Sequence, residues 1–80
     1  MTQPDHTFTF GRRTAPDRGG ERQELLRTLA DTRVLIHQAY SGFNQAMDSD
    51  LIESYVFEIN ALQSRYNYLL RRIKQLEAVP

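Results

Sequence analysis

Between Asp48 and Leu76 the chain reads DSDLIESYVFEINALQSRYNYLLRRIKQL. Within it Ile52, Tyr55, Ile59, Leu62, Tyr66, Leu69, Ile73 and Leu76 recur at alternating spacings of three and four. That rhythm gathers side chains into one stripe along an α-helix. A continuous apolar stripe needs a cover, and the rest of the chain is constrained by the need to supply one.

The cover is predicted from the segment just before it. Leu26, Leu29, Ile36, Tyr40, Phe43 and Met47 follow a heptad rhythm, with Arg33 the one polar member of that stripe. An arginine there lays its stem along the groove and keeps its head in water. The first helix is expected over about residues 21–45, with Gly20 as N-cap and Glu21 and Glu24 in the first turn, where the helix dipole favours negative charge. Gly42 falls in its last turns, at a cost of roughly 1 kcal/mol relative to alanine. It marks either the close approach of another backbone or a fraying end.

Asp48-Ser49-Asp50 signals the start of the second helix, expected over about residues 49–77. Either aspartate suits the cap; with Asp50 in that role Glu53 falls at N3, a variant of the capping box. The connection is then about three to five residues long, too short for anything but antiparallel neighbours. The predicted fold is all-α: an antiparallel, coiled-coil-like two-helix hairpin over residues 21–78, with helices roughly 35–42 Å long at 1.5 Å per residue.

Residues 1–20 differ in kind. Pro4, Gly11, Pro16, Gly19 and Gly20 are scattered among Thr, Asp and Arg, with too little apolar surface to offset the entropy of ordering. They read as a flexible N-terminal tail. Its one patterned stretch, Phe8-Thr9-Phe10, either docks on a helix face, adds as an edge strand or stays solvated. Arg12 and Arg13 beside it read as a solvated basic spot.

The 80 residues make at most one small domain, near the size where a single core is only just sufficient. Ten basic and ten acidic residues cancel, so no global field draws the chain toward nucleic acid or an anionic membrane. The absence of cysteine removes disulfides, thiolate zinc sites and thiol nucleophiles together. The opening MTQPDHTFTFGRR holds no apolar run of the kind a secretory signal or membrane span needs. A soluble, cytoplasmic protein with no membrane partner is the expectation.

Charge is instead segregated along the second helix. Asp48, Asp50, Glu53 and Glu58 crowd its start, and Arg65, Arg71, Arg72 and Lys74 fill its second half. Both groups complement the helix dipole. The loop end of the hairpin is therefore acidic. The open end is mixed, because Arg65 to Lys74 come near Glu21, Glu24 and Asp31.

A hairpin buries one stripe on each helix, and the second helix carries another. Phe57, Ala61, Ser64 and Tyr68 sit on the side away from the first. The first helix offers a parallel case in a seam of mostly small residues: Leu25, Thr28, Thr32, Leu35, Ala39, Gly42 and Ala46. Either Phe8 and Phe10 fold back over these faces or another chain covers them. Isolated hairpins of this size are marginal, so self-association as a homodimer, two hairpins forming a four-helix bundle, is favoured over a monomer with an exposed apolar face.

No constellation for catalysis stands out. His6 lies in the tail and His37 on the flank of the first helix, with no ligand pair at helical spacing, so no metal site is expected. The acids near Asp48 lack the glycine-containing calcium-loop spacing, and phosphate loops and catalytic triads have no counterpart. No catalytic residue and no cofactor is therefore assigned. A non-enzymatic interaction or adaptor module is the reading, with Phe57, Asn60, Arg65, Asn67, Tyr68 and Arg71 as the binding surface for a second copy or another protein. The alternative is nucleic-acid association through Arg65 to Lys74, where Arg and Lys hold phosphates and Tyr68 stacks on a base. It is the weaker reading, because Tyr66 belongs to the buried stripe and positive charge at a helix C-terminus needs no ligand.

Asp48, Asp50, Leu51 and Ile52, then Glu58-Ile59-Asn60-Ala61, then Arg65 to Lys74 form a pattern over about residues 22–76. It resembles the YaaL-like proteins, a group of small uncharacterised proteins from Gram-positive bacteria. Ser49 stands where members of that group tend to have proline, and either residue suits N1. The resemblance implies a cytosolic bacterial helical protein and brings no catalytic residues. It draws attention to Asn60 and Asn67, seven residues apart on one exposed line. Asparagine is a poor mid-helix residue, so the pair points either to a hydrogen-bonding task or to ordinary solvated positions.

Overall fold

Asp48 starts the second helix. Its carboxylate accepts a hydrogen bond from the Leu51 amide at 3.0 Å, and its carbonyl accepts the Ile52 amide at 2.9 Å. This is the N-cap arrangement, with Leu51 at N3. The alternative with Asp50 as cap, which would bring Glu53 to N3, is not formed. The computed structural model describes residues 18–78. Among them are two helices, α1 (Arg18–Gln45) and α2 (Ser49–Ala78), and no strand. Phe8, Phe10 and the rest of the chain before Arg18 lie outside the described residues.

Helix α1 begins earlier than Glu21, so Gly19 and Gly20 lie inside it and Gly20 is not its N-cap. Two glycines in a first turn are poor helix formers. Helix α2 meets this end of α1: Arg22 pairs with Glu77 at 2.7 Å and Glu21 with Arg72 at 2.6 Å. Farther along, Arg33 Nη2 donates to the Tyr66 hydroxyl at 3.4 Å, and Gln63 Nε2 donates to the Tyr40 hydroxyl at 3.3 Å. The first turns of α1 thus meet the last turns of α2, and the contacts step toward the connection between them. The fold is a helical hairpin.

The predicted stripe of α2 faces α1. Ile59, Leu62, Leu69 and Ile73 are buried, and Ile52, Tyr55, Tyr66 and Leu76 are half-buried beside them. The core has two parts. Leu29, Leu69 and Ile73 form one, flanked by Leu25, Leu26, Tyr66 and Leu70. Ala39, Ile59 and Leu62 form the other, flanked by Ile36, Phe43 and Tyr55.

The stripe of α1 differs from the one the heptad count predicts. Leu29, Ile36 and Phe43 do face α2, but Arg33 is exposed, Tyr40 is 43% exposed and Met47, beyond the end of the helix, is 94% exposed. Their places are taken by Thr32 and Ala39, each only 2% exposed, with Leu25, Gly42 and Ala46 half-buried on the same side. The seam of small residues is therefore the inner face of α1 and not a second, uncovered one; only Thr28 and Leu35 of that set are exposed. The reason is complementarity of size. Helix α2 contributes large side chains throughout, and helix axes approach closely only where the facing positions are small. Thr32 is the one buried polar residue among those described, and its hydroxyl donates to the Thr28 carbonyl at 2.7 Å.

Candidate functional site

The buried stripe of α2 takes one side of a continuous helix, so residues half a turn away from it face outward. Phe57, Ala61, Ser64 and Tyr68 occupy that outer line, and all four are exposed. Phe57 is 64% and Tyr68 47% exposed, a large apolar area for side chains on one helix face. Asn60 and Asn67 run along one edge of the line and Arg65 along the other, with Arg71 continuing its centre toward the C-terminus. Helix spacing brings all six predicted binding residues to one outer face.

Among the described residues, the side chains of Asn60, Arg65, Asn67 and Arg71 make no hydrogen bond or ion pair within the chain. The basic segment is thus divided. Arg72 is committed to the hairpin, with Nη2 on Glu21 at 2.6 Å and Nη1 on Gln75 at 2.9 Å. Arg65, Arg71 and Lys74 point to solvent. Tyr66 is half-buried and its hydroxyl is engaged by Arg33, which leaves Tyr68 as the exposed aromatic of this segment.

Three further residues extend the face, and counting apolar positions does not find them. Glu53 and Lys74 complete the line of Asn60 and Asn67, and Glu58 completes the line of Arg65. All three are exposed and unpaired among the described residues. The signal that reveals them is the exact seven-residue repeat of polar positions on each side of the outer line.

Other features lie elsewhere. His37 is exposed on α1. Among the described residues no group of three or more His, Asp or Glu side chains is placed to hold a metal ion. A shallow depression of about 370 Å³ is lined by Glu21, Glu24, Leu25 and Thr28, all on α1, and includes none of the six residues. No described helix is long and apolar enough to cross a membrane.

No curated protein and no solved structure matches the chain. One family model does, over residues 8–78, and the chain belongs to that family, described as "Protein of unknown function (DUF2508)".

Proposed function

We propose that this protein is a small, non-enzymatic interaction module: an antiparallel hairpin in which α1 covers the inner stripe of α2 and α2 presents its outer face to a protein partner. The observation that carries the reading is the exposure of Phe57 and Tyr68 on one line, flanked by Asn60, Asn67 and Arg65 with no side-chain partners among the described residues. An aromatic centre with a polar rim is the composition of protein–protein hot spots. The most conspicuous charged groups elsewhere have structural work: Asp48 caps α2, and Glu21, Arg22, Arg72 and Glu77 join the helix ends. A cytoplasmic setting and kinship with the YaaL-like proteins of Gram-positive bacteria are part of the same proposal; the motifs over residues 48–74 support the latter.

The test is capture from native cells with the full chain as bait, beside an Asn60→Ala/Tyr68→Ala variant of equal helicity. The wild type retains a protein, either a second copy of itself or another chain, and the variant loses it. Retention of nothing by the wild type, or equal retention by both, would contradict the reading. Nucleic-acid association is the second reading, supported by the exposure of Arg65, Arg71 and Lys74 beside Tyr68, unpaired among the described residues. It requires retardation of single-stranded or duplex nucleic acid at about 50 mM salt that fades as salt rises.

A further inference from the structure

The outer face of α2 has a symmetry that the inner one lacks. Along its centre the order is Ser54, Phe57, Ala61, Ser64, Tyr68 and Arg71, with spacings of three and four. Two such helices laid antiparallel, with Ala61 of one opposite Ser64 of the other, bring Phe57 opposite Tyr68 and Ser54 opposite Arg71. Each pairing occurs twice, as a two-fold axis at the level between Leu62 and Gln63 demands. Small side chains then stand at the axis, where the backbones approach, and an aromatic pair closes the seam on either side.

The edges obey the same axis. On one edge, the register sets Glu58 against Arg65 of the second copy. On the other it sets Asn60 against Asn67, and Glu53 against Lys74. Every charged edge residue that lacks a partner inside the hairpin thereby meets an opposite charge, and the two mid-helix asparagines meet each other, amide to amide. A parallel arrangement does the reverse, bringing Glu53 beside Glu58 of the neighbour, like against like. The charge pattern selects the antiparallel register.

We infer that the occupant of this face is a second copy of the chain, docked α2 to α2 in that register through the Phe57–Tyr68 and Ala61–Ser64 layers. The inference rests on the interaction reading above and narrows it to one partner. The hairpins pair through their α2 helices, with each α1 on the outside.

Charge reversal tests it on the full chain. Wild type sediments as a dimer at about 100 µM, at twice the 9.3 kDa chain mass. Glu58→Arg alone and Arg65→Glu alone each convert two attractive edge pairs into repulsive ones and weaken the dimer at least tenfold. The Glu58→Arg/Arg65→Glu double variant regains it, and an equimolar mixture of the two single variants forms a heterodimer. Glu53→Lys and Lys74→Glu behave in the same way on the opposite edge, so a folding defect in one set leaves the other to decide. Circular dichroism confirms unchanged helicity for each. A monomeric wild type at this concentration overturns the inference, as do single reversals that leave the dimer intact or swaps that fail to restore it. If the wild type is monomeric yet retains a different protein through Phe57 and Tyr68, self-pairing is refuted and the interaction module stands. If it is monomeric and retains nothing, both fail.

Discussion

Gly42 lies directly against the ring of Tyr55. A β-carbon added at Gly42 would overlap Tyr55 at Cζ, Cε1 and the hydroxyl oxygen. The glycine is there because the side chain of α2, and not its backbone, occupies the space. Gly42→Ala therefore carries two opposed effects: a helix-propensity gain of about 1 kcal/mol and an overpacking cost of about 1–3 kcal/mol. The net expectation is destabilisation, read as a lower urea midpoint. In Tyr55→Leu, which removes the far end of the ring, Gly42→Ala should instead be neutral or stabilising. Additive effects of the two substitutions would refute the contact.

Asp48 and Asp50 differ in what they do. Only Asp48 accepts the Leu51 amide. Asp48→Ala should cost about 1 kcal/mol, the usual loss of an N-cap, and Asp50→Ala only a few tenths through the helix dipole. Thermal melts of the two variants give the comparison, and equal losses would contradict the cap assignment.

Thr32 is buried between the helices, with its hydroxyl turned back to Thr28. Removing that hydroxyl leaves no buried donor unsatisfied, and the methyl that replaces it adds apolar surface at a position that is only 2% exposed. Thr32→Val should stabilise the hairpin by about 0.5–1 kcal/mol. At Leu35, which is exposed, a change to threonine should alter stability by no more than about 0.5 kcal/mol. The contrast separates the observed inner face of α1 from the rest of its seam.

Of the ion pairs, Arg72–Glu21 is short but each side chain keeps a third or more of its surface in water, at 34% and 41% exposure. A double-mutant cycle should return a coupling of about 1 kcal/mol or less, shrinking further at about 1 M salt. A coupling of several kcal/mol would mean the pair is shielded in solution by something outside residues 18–78.

The inner stripe of α2 is legible in the sequence because each of its members is large and apolar, whereas the second line on that helix, through Ala61 and Ser64, is interrupted by small residues. That of α1 is not, because three of its inward positions are Thr32, Ala39 and Gly42. Size complementarity chose them, and a count that ranks residues by hydrophobicity passes over them in favour of Tyr40 and Met47. The sequence offers two aspartates for the cap of α2, both chemically competent, which only geometry distinguishes. The start of α1 is not legible, because Gly19 and Gly20 are poor helix formers and yet lie inside the helix. The six candidate residues are proposed from helix spacing together with the motif resemblance, and the charge symmetry at their edges follows from α2 being one continuous helix from Ser49 to Ala78. The family match reaches back to residue 8 and so takes in Phe8 and Phe10, well before the point near residue 22 where the motif resemblance begins.

The pairing of two α2 helices is tested most directly by distance. The chain has no cysteine, so a single cysteine introduced at Gln63 or at Met47 carries a spin label at one known place. In the antiparallel register, position 63 of each copy lies almost level with the two-fold axis, on the flank of its helix, and pulsed dipolar spectroscopy should give a separation under about 25 Å. Labels at position 47 should lie about 45 Å apart, from the axial offset at 1.5 Å per residue. A short distance at both positions would mean parallel helices, and no dipolar signal at either would mean no pair; each result contradicts the account.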